Sequence, residues 1–406
     1  MYLYPQIYIM NSLFLHYNRL LNATNVQYNR YLYDKIDWEG RLIGITGARG
    51  TGKTTMLLEH IRKTFPNTQK ALYVSLDNIW FAKNSLTELT NYFYSYGGTH
   101  LFLDEVHRYP TWSIEIKNIY DSYPDLHIAF TGSSILEIYK SNADLSRRAI
   151  TYNMHGLSFR EFLNFEHNMQ LSPFSLEDIL QKHQTIAMDI MSKVKILPEY
   201  DKYLEYGYYP FYKEGIKSYT IRLQNIVNII LDNDLPAVEN VEYITIQKIK
   251  KMLMIISSLV PFSPNITKLS AEIEANRANT LKYLSYLQKA GLIISYLSSQ
   301  KGMSLMNKPD KVYLNNTNLL YALSASTVNV GNLRETFFAN QMSVLHNITT
   351  SLQGDFVVDN FYTFEVGGAN KNFNQIKDME NSFTALGDIE SGYGNRIPLW
   401  MFGLLY

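Results

Sequence analysis

No cysteine occurs in the 406 residues, which excludes disulfides, thiolate zinc sites and cysteine nucleophiles and accords with a reducing, cytoplasmic setting. A charge imbalance is also lacking. Lys plus Arg and Asp plus Glu both number 37, so no global field draws the chain to nucleic acid or to an anionic membrane, and any polyanion contact must be local. Apolar runs are short: Met252 to Phe262 and Ile397 to Tyr406 fall below the roughly 18 to 20 residues that span a bilayer, so no membrane association is expected. Met1 to Met10 carry neither a basic stretch nor a small-residue cleavage site, and no signal peptide is read there. Aromatic side chains are abundant, with 32 Tyr and 20 Phe, and such rings fill cores and faces between domains. At roughly 100 to 200 residues per domain, the length asks for more than one core.

The first third alternates apolar runs with helical periodicity. Strands are expected at Arg41–Thr46, Ala71–Asp77, His100–Asp104, His127–Thr131 and Ala149–Met154, with helices at Lys53–Phe65, Ser85–Tyr96 and Trp112–Ser122 between them. That grammar predicts an α/β fold: a parallel sheet covered by helices, with ligands at the carboxyl ends of its strands. Between the first strand and its helix lies Gly47-Ala48-Arg49-Gly50-Thr51-Gly52-Lys53-Thr54, a fit to GxxxxGK[ST] in the context that pattern requires. Glycines let the backbone wrap an oxyanion, and the amides with the helix N-terminus supply donors and partial positive charge. Lys53 is expected to reach the β and γ phosphates of ATP, and Thr54 to place its hydroxyl on Mg2+. Asp104 and Glu105 close the apolar run Leu101-Phe102-Leu103. There Asp104 is expected to hold the metal, and Glu105 to orient or deprotonate the attacking water.

Beyond Ser158 the pattern turns helical to about Asn240, interrupted at Gly207 to Tyr212. Helices at Ile266–Ala275 and Ala278–Ala290, a Gly291 stop and β-like runs at Leu292–Tyr296 and Lys311–Leu314 follow the order of a winged helix. A helix at Leu333–His346 and strands at Asp355–Val358, Phe361–Val366 and Pro398–Leu404 suggest a last small α/β unit. His100, His107 and His127 are close in sequence but lack helical metal spacing, and Asp77 ends a neighbouring strand, where a turn role and a site role both remain open.

Taken together, the residues resemble the AAA+ ATPase superfamily, in particular a prokaryotic group joining an ATPase core to a winged helix and a nuclease-like domain of the PD-(D/E)xK type. The carriers are GARGTGKTT at Gly47 to Thr55, LFLDE at Leu101 to Glu105, FTGSS at Phe130 to Ser134, SRRA at Ser146 to Ala149 and LSFREF at Leu157 to Phe162. YGYYP at Tyr206 to Pro210, KVYLNNTNLL at Lys311 to Leu320 and FEVGG at Phe364 to Gly368 extend it. The resemblance implies an N-terminal extension at 1–35, an AAA+ core at 36–160, a helical linker or lid at 161–240, a winged helix at 241–325 and the nuclease-like domain at 326–406.

It also implies roles. Thr55 joins residues 47–54 in the nucleotide-binding set. Thr131, Ser133 and Ser134 fall where the family senses the γ-phosphate, with a helix-capping turn as the plain alternative. Arg148, or its neighbour Arg147, stands where an arginine finger acts, often from a neighbouring subunit, which implies a homo-oligomer. Arg277, Lys282 and Lys289, with Lys268, Lys301, Lys308 and Lys311, form a candidate DNA contact, opposed by Glu272 and Glu274. Asp355, Glu365 and Glu335 are the nuclease-like acids, and the lysine expected after Glu365 is replaced by Val366-Gly367-Gly368, leaving Lys371 or Gln375 as substitutes. The implied function is an ATP-hydrolysing switch acting on a protein or nucleic-acid partner, with an ATP-regulated DNA-binding protein or nuclease as the alternative.

Overall fold

Five short apolar runs, each followed by a polar or glycine break, can bury both faces only in the middle of a layered sheet. In the computed structural model four of them do so, as β1 (Leu42–Thr46), β2 (Ala71–Ser75), β3 (His100–Asp104) and β4 (His127–Gly132), while β5 (Ile150–Asn153) is an edge strand whose residues are mostly exposed. The structure describes all residues except 1–2, 25–27, 66–67, 133–144, 146, 237–240, 260–263, 298–307, 325–327 and 352. The chain divides into two compact units, 1–155 and 156–406.

In the first unit the sheet order is β2-β3-β4-β1-β5, and every pairing is parallel. Each step between parallel neighbours needs a crossover. These include α2 (Lys53–Thr64), α3 (Leu86–Ser95) and α4 (Trp112–Ser122), and α1 (Leu3–Ala23) precedes them all. Ser85 and Glu88 form a reciprocal capping box that starts α3. Register places Leu103 of β3 beside Phe130 of β4, so Asp104 and Thr131 emerge side by side at the carboxyl edge. The five-stranded parallel sheet with flanking helices fits a P-loop core of the AAA+ kind.

The second unit begins with α5 (Phe159–His167), α6 (Leu176–Met191), α7 (Ile196–Lys202) and α8 (Tyr219–Ile229). Next come α9 (Tyr243–Leu259), α10 (Ile266–Glu272) and α11 (Arg277–Lys289), and an antiparallel hairpin of β6 (Ile293–Tyr296) and β7 (Lys311–Leu314). After α12 (Thr317–Leu323) and α13 (Val330–Met342), a mixed sheet forms from β8 (Ile348–Thr350), β9 (Phe356–Val358), β10 (Tyr362–Gly367), β11 (Ser382–Leu386) and β12 (Arg396–Pro398). Its order is β12-β11-β10-β9-β8, antiparallel on the β8–β9–β10 side and parallel on the other.

The run Pro398–Leu404, expected as a strand, is strand only to Pro398 and then a 3-10 helix. A continuous apolar stretch buried on all sides carries no period to tell the two apart. Strands β8 and β11 were not legible at all. Phe159 of α5 packs edge-on against Trp400, and the buried Asn318 amide accepts from the Tyr208 amide at 2.8 Å while donating to the carbonyls of Tyr203 and Leu204. The helical stretch after Ser158 is thereby part of this unit's core. No helix among the described residues is long and apolar enough to cross a membrane.

Candidate functional site

Three glycines in the loop between β1 and α2, Gly47, Gly50 and Gly52, have positive φ. Gly47 has φ 143° and its Cα faces the Met154 carbonyl so closely that a Cβ would collide with it. Gly52, at φ 96°, caps α2 in the left-handed region where side chains are disfavoured. Thr51 closes the turn by donating from its hydroxyl to the Ala48 carbonyl at 2.9 Å. Lys53 is buried, and its ammonium donates to the carbonyls of Gly47 and Ala48 at 2.9 and 2.8 Å. Thr54 follows at the start of α2, and Thr55 is exposed on the same helix.

Across the sheet edge Asp104 is buried and its carboxylate collects three hydroxyl donors. Oδ2 accepts from Thr54 at 2.6 Å and from Tyr73 at 2.7 Å, and Oδ1 accepts from Thr131. Burial and the Asp104 charge push the Tyr73 phenol far above its ordinary range, so it is a permanent donor. Glu105 follows with φ 51°, its amide donating to the Thr131 hydroxyl at 3.2 Å. Its Oε2 lies 3.2 Å from Arg49 Nη2 and 3.4 Å from His107 Nε2. Burial, with Arg49, Arg108 and Lys53 nearby, lowers His107 to about 3, so this imidazole is neutral near pH 7 and its contact is not an ion pair. The loop, Lys53, Thr54, Asp104 and Glu105 thus converge at one sheet edge.

Two contributors were not found in the sequence. Arg30 donates to the loop carbonyl of Thr51 and, at 2.8 Å, to the His155 carbonyl, tying the loop to the end of β5. A lone arginine upstream of the motif carries no pattern that could reveal this. Tyr73 had a signal: it faces the same side of the sheet as Asp104 by strand alternation and register.

Other expected residues take different places. Arg148 forms a two-pronged pair with Asp121 of α4 in its own unit, both contacts 2.9 Å, while Arg147 is exposed. Ser133 and Ser134 lie outside the described residues, as does Lys301. Asp77 accepts from the Ser75 hydroxyl at 2.6 Å in a turn after β2. His100 and His127 stack at 4.7 Å, and no group of three metal-ligating side chains is found among the described residues. Of the basic candidates, Lys268 lies 3.9 Å from Glu272, Arg277, Lys282 and Lys308 are exposed, and Lys289 is half-buried.

Lys311 turns to acids: its ammonium is 3.3 Å from Glu335 Oε2 and 3.2 Å from Asp355 Oδ1. Lys371 reaches Glu365 Oε1 at 2.5 Å. Asp355, Glu365, Lys371 and Gln375 line an open pocket of about 360 Å³.

Residues 39–163 match the AAA domain family, and residues 197–329 match a domain of unknown function, DUF8612. An uncharacterized protein of Methanocaldococcus jannaschii is 26% identical over 297 residues, covering 68% of this chain and 62% of that protein. The chain therefore spans less than two thirds of this curated relative. Among solved structures, a Walker-type ATPase of Pyrococcus abyssi aligns at 11% identity over 73% of this chain and 95% of that one, with a TM-score of 0.41. AMPPCP-bound DnaA from Aquifex aeolicus aligns at 14% identity over 64% and 84%, with a TM-score of 0.27. Scores this low leave the whole-chain fold to be argued from its own elements. The family match and the sheet order agree on an AAA-type P-loop domain in the first part of the chain.

Proposed function

We propose that this chain binds ATP with magnesium through its AAA-type P-loop domain, hydrolyses it, and uses the cycle as a switch on a protein or nucleic-acid partner. The carrying observation is that Thr54 and Asp104, fifty residues apart in the chain, meet at 2.6 Å beside Lys53 and Glu105. The donor set fits the metal: a hydroxyl and a carboxylate are the hard oxygen ligands that magnesium takes together with water and phosphate oxygens. Thr54 and Asp104 would hold it, and when bound it neutralises charge on the phosphate oxygens.

The chain's own groups account for the rest. Amides of residues 47–52 bind phosphate oxygens, and Lys53 exchanges its two carbonyl acceptors for the β and γ phosphates. Glu105 orients the attacking water and accepts its proton, with Thr131 fixing both the Glu105 amide and the Asp104 carboxylate. Arg148 pairs with Asp121 in its own chain, and a finger role in a homo-oligomer requires it to leave that partner. The order α9, α10, α11, hairpin supports a winged helix at 241–325, and a helix followed by a mixed sheet supports a nuclease-like fold at 326–406.

Nucleotide binding and single-turnover hydrolysis in Lys53→Ala and Glu105→Gln test the site. Lys53→Ala is expected to lose binding. Glu105→Gln is expected to keep binding while hydrolysis falls on the order of a hundredfold or more. Undiminished hydrolysis in Glu105→Gln would remove Glu105 from the mechanism, and undiminished binding in Lys53→Ala would overturn the site.

A further inference from the structure

A nuclease-like reading of the last sheet implies a divalent cation held by carboxylates, and the residues present do not fit one. A hard cation takes carboxylate oxygens as ligands and competes for them with any ammonium already paired to them. Here Glu335 Oε2 is 3.3 Å from the Lys311 ammonium and also accepts from the Tyr313 hydroxyl at 2.8 Å. Asp355 is held on both oxygens, Oδ1 by Lys311 at 3.2 Å and Oδ2 by the Val366 amide at 2.9 Å. Glu365, buried in β10, has Lys371 on Oε1 at 2.5 Å, and the Gln375 amide donates to Oε2 at 3.1 Å. Of the two ammonium groups among these three carboxylates, Lys371 stands in for the lysine that a nuclease-like site carries itself, and Lys311 is the additional one.

Their origin matters. Glu335 is on α13 and Asp355 precedes β9, but Lys311 and Tyr313 belong to β7 of the separate hairpin. Apolar packing seats that hairpin: Tyr296 and Tyr313 lie with ring centres 6.1 and 5.7 Å from Phe356. Burial and the charge of Asp355 push the Glu335 carboxyl up, and Lys311 opposes both, as an internal counter-ion does. An ammonium fixed about 3 Å from two carboxylates leaves a divalent ion there facing a like charge, a repulsion that a partly desolvated pocket screens poorly.

We propose that Lys311 is the built-in cation of this acidic cluster, delivered by the hairpin between Glu335 and Asp355, and that the cluster excludes divalent metal while the hairpin is seated. The hairpin then acts as a plug on a nuclease-like fold, and the C-terminal sheet serves as a docking base for it instead of a cleavage site.

Calorimetric titration of MnCl2 into nucleotide-free, full-length chains tests this. All chains carry Asp104→Asn, which removes the metal-binding carboxylate of the P-loop edge. The parent is expected to show no Mn2+ uptake that Asp355→Asn removes. Lys311→Met is expected to gain a single Mn2+ site at least about tenfold tighter than any in the parent. Adding Glu335→Gln should abolish the gain, and Lys311→Arg should show none. Equal Mn2+ affinity in parent and Lys311→Met overturns the proposal, as does a Lys311→Met chain with the parent's circular dichroism that gains no site. If Lys311→Met fails to fold, the parent decides: Mn2+ uptake abolished by Asp355→Asn overturns the proposal, and its absence upholds it.

Discussion

Both units gather carboxylates beside a sheet, and the principal donors to them differ in kind. Asp104 is surrounded by the hydroxyls of Thr54, Tyr73 and Thr131, whereas Glu335, Asp355 and Glu365 are faced by the ammonium groups of Lys311 and Lys371. Neutral donors leave the full negative charge in place, and a hydroxyl exchanges readily for water or a metal ligand. Ammonium donors cancel the charge and gain strength from partial burial. The donors around a carboxylate therefore decide how much of its charge stays available to a ligand.

Asp104→Asn should break the contrast most severely. It removes the negative charge and replaces one of the two oxygens that the three hydroxyls use with an NH2 donor, and magnesium-dependent turnover is expected to fall on the order of a hundredfold or more. Unchanged turnover would show that Asp104 is structural. Acid comes next. Burial first, with His127 and Lys70 beside His100, Lys63 and His100 beside His60, and Arg30 beside His155, lowers each of these three imidazoles to about 4. The unfolded chain binds those protons near pH 6.5 and the folded chain only near 4, so stability of residues 1–155 falls as pH drops through that window.

The loss is on the order of a few kcal/mol. Pulse proteolysis at pH 7 and pH 5, with fragments assigned by mass, should show this unit opening first, and equal opening of both would exclude the buried imidazoles as the cause. Tyr73→Phe sharpens the comparison with a smaller effect: it removes one of the three hydroxyls, costing about 1 kcal/mol in denaturant unfolding and weakening magnesium affinity about tenfold in the nucleotide complex. Arg148→Ala should cost least. Its pair with Asp121 is half-exposed, so unfolding free energy should change by less than about 1 kcal/mol. A large fall in turnover with unchanged stability would instead reveal a role between chains.

The first unit was largely legible because its signals are local. Each strand is a bounded apolar run, and the loop motif sits between strand and helix by sequence alone. The helix Leu3–Ala23, Arg30 and Tyr73 escaped, and the last two meet the site through contacts distant along the chain, Arg30 at the Thr51 and His155 carbonyls and Tyr73 across the sheet at Asp104. In the second unit the sequence marks Glu335, Asp355 and Glu365 as candidate acids and Lys311 as part of a candidate DNA contact, and only the fold pairs Lys311 with two of those acids. It lies twenty-four residues from Glu335 and forty-four from Asp355, a separation no periodicity spans. The strand expected through Leu404 failed for the related reason that all-round burial erases the alternation that marks a strand.

The sequence by itself determined the parallel sheet, the phosphate loop and the acidic pair after β3, because backbone conformation at glycines and strand burial depend on neighbours along the chain. Tertiary structure alone decided which donors meet which carboxylates. A side chain's charge is written in the sequence, but whether it is cancelled depends on partners brought within about 3 Å by folding.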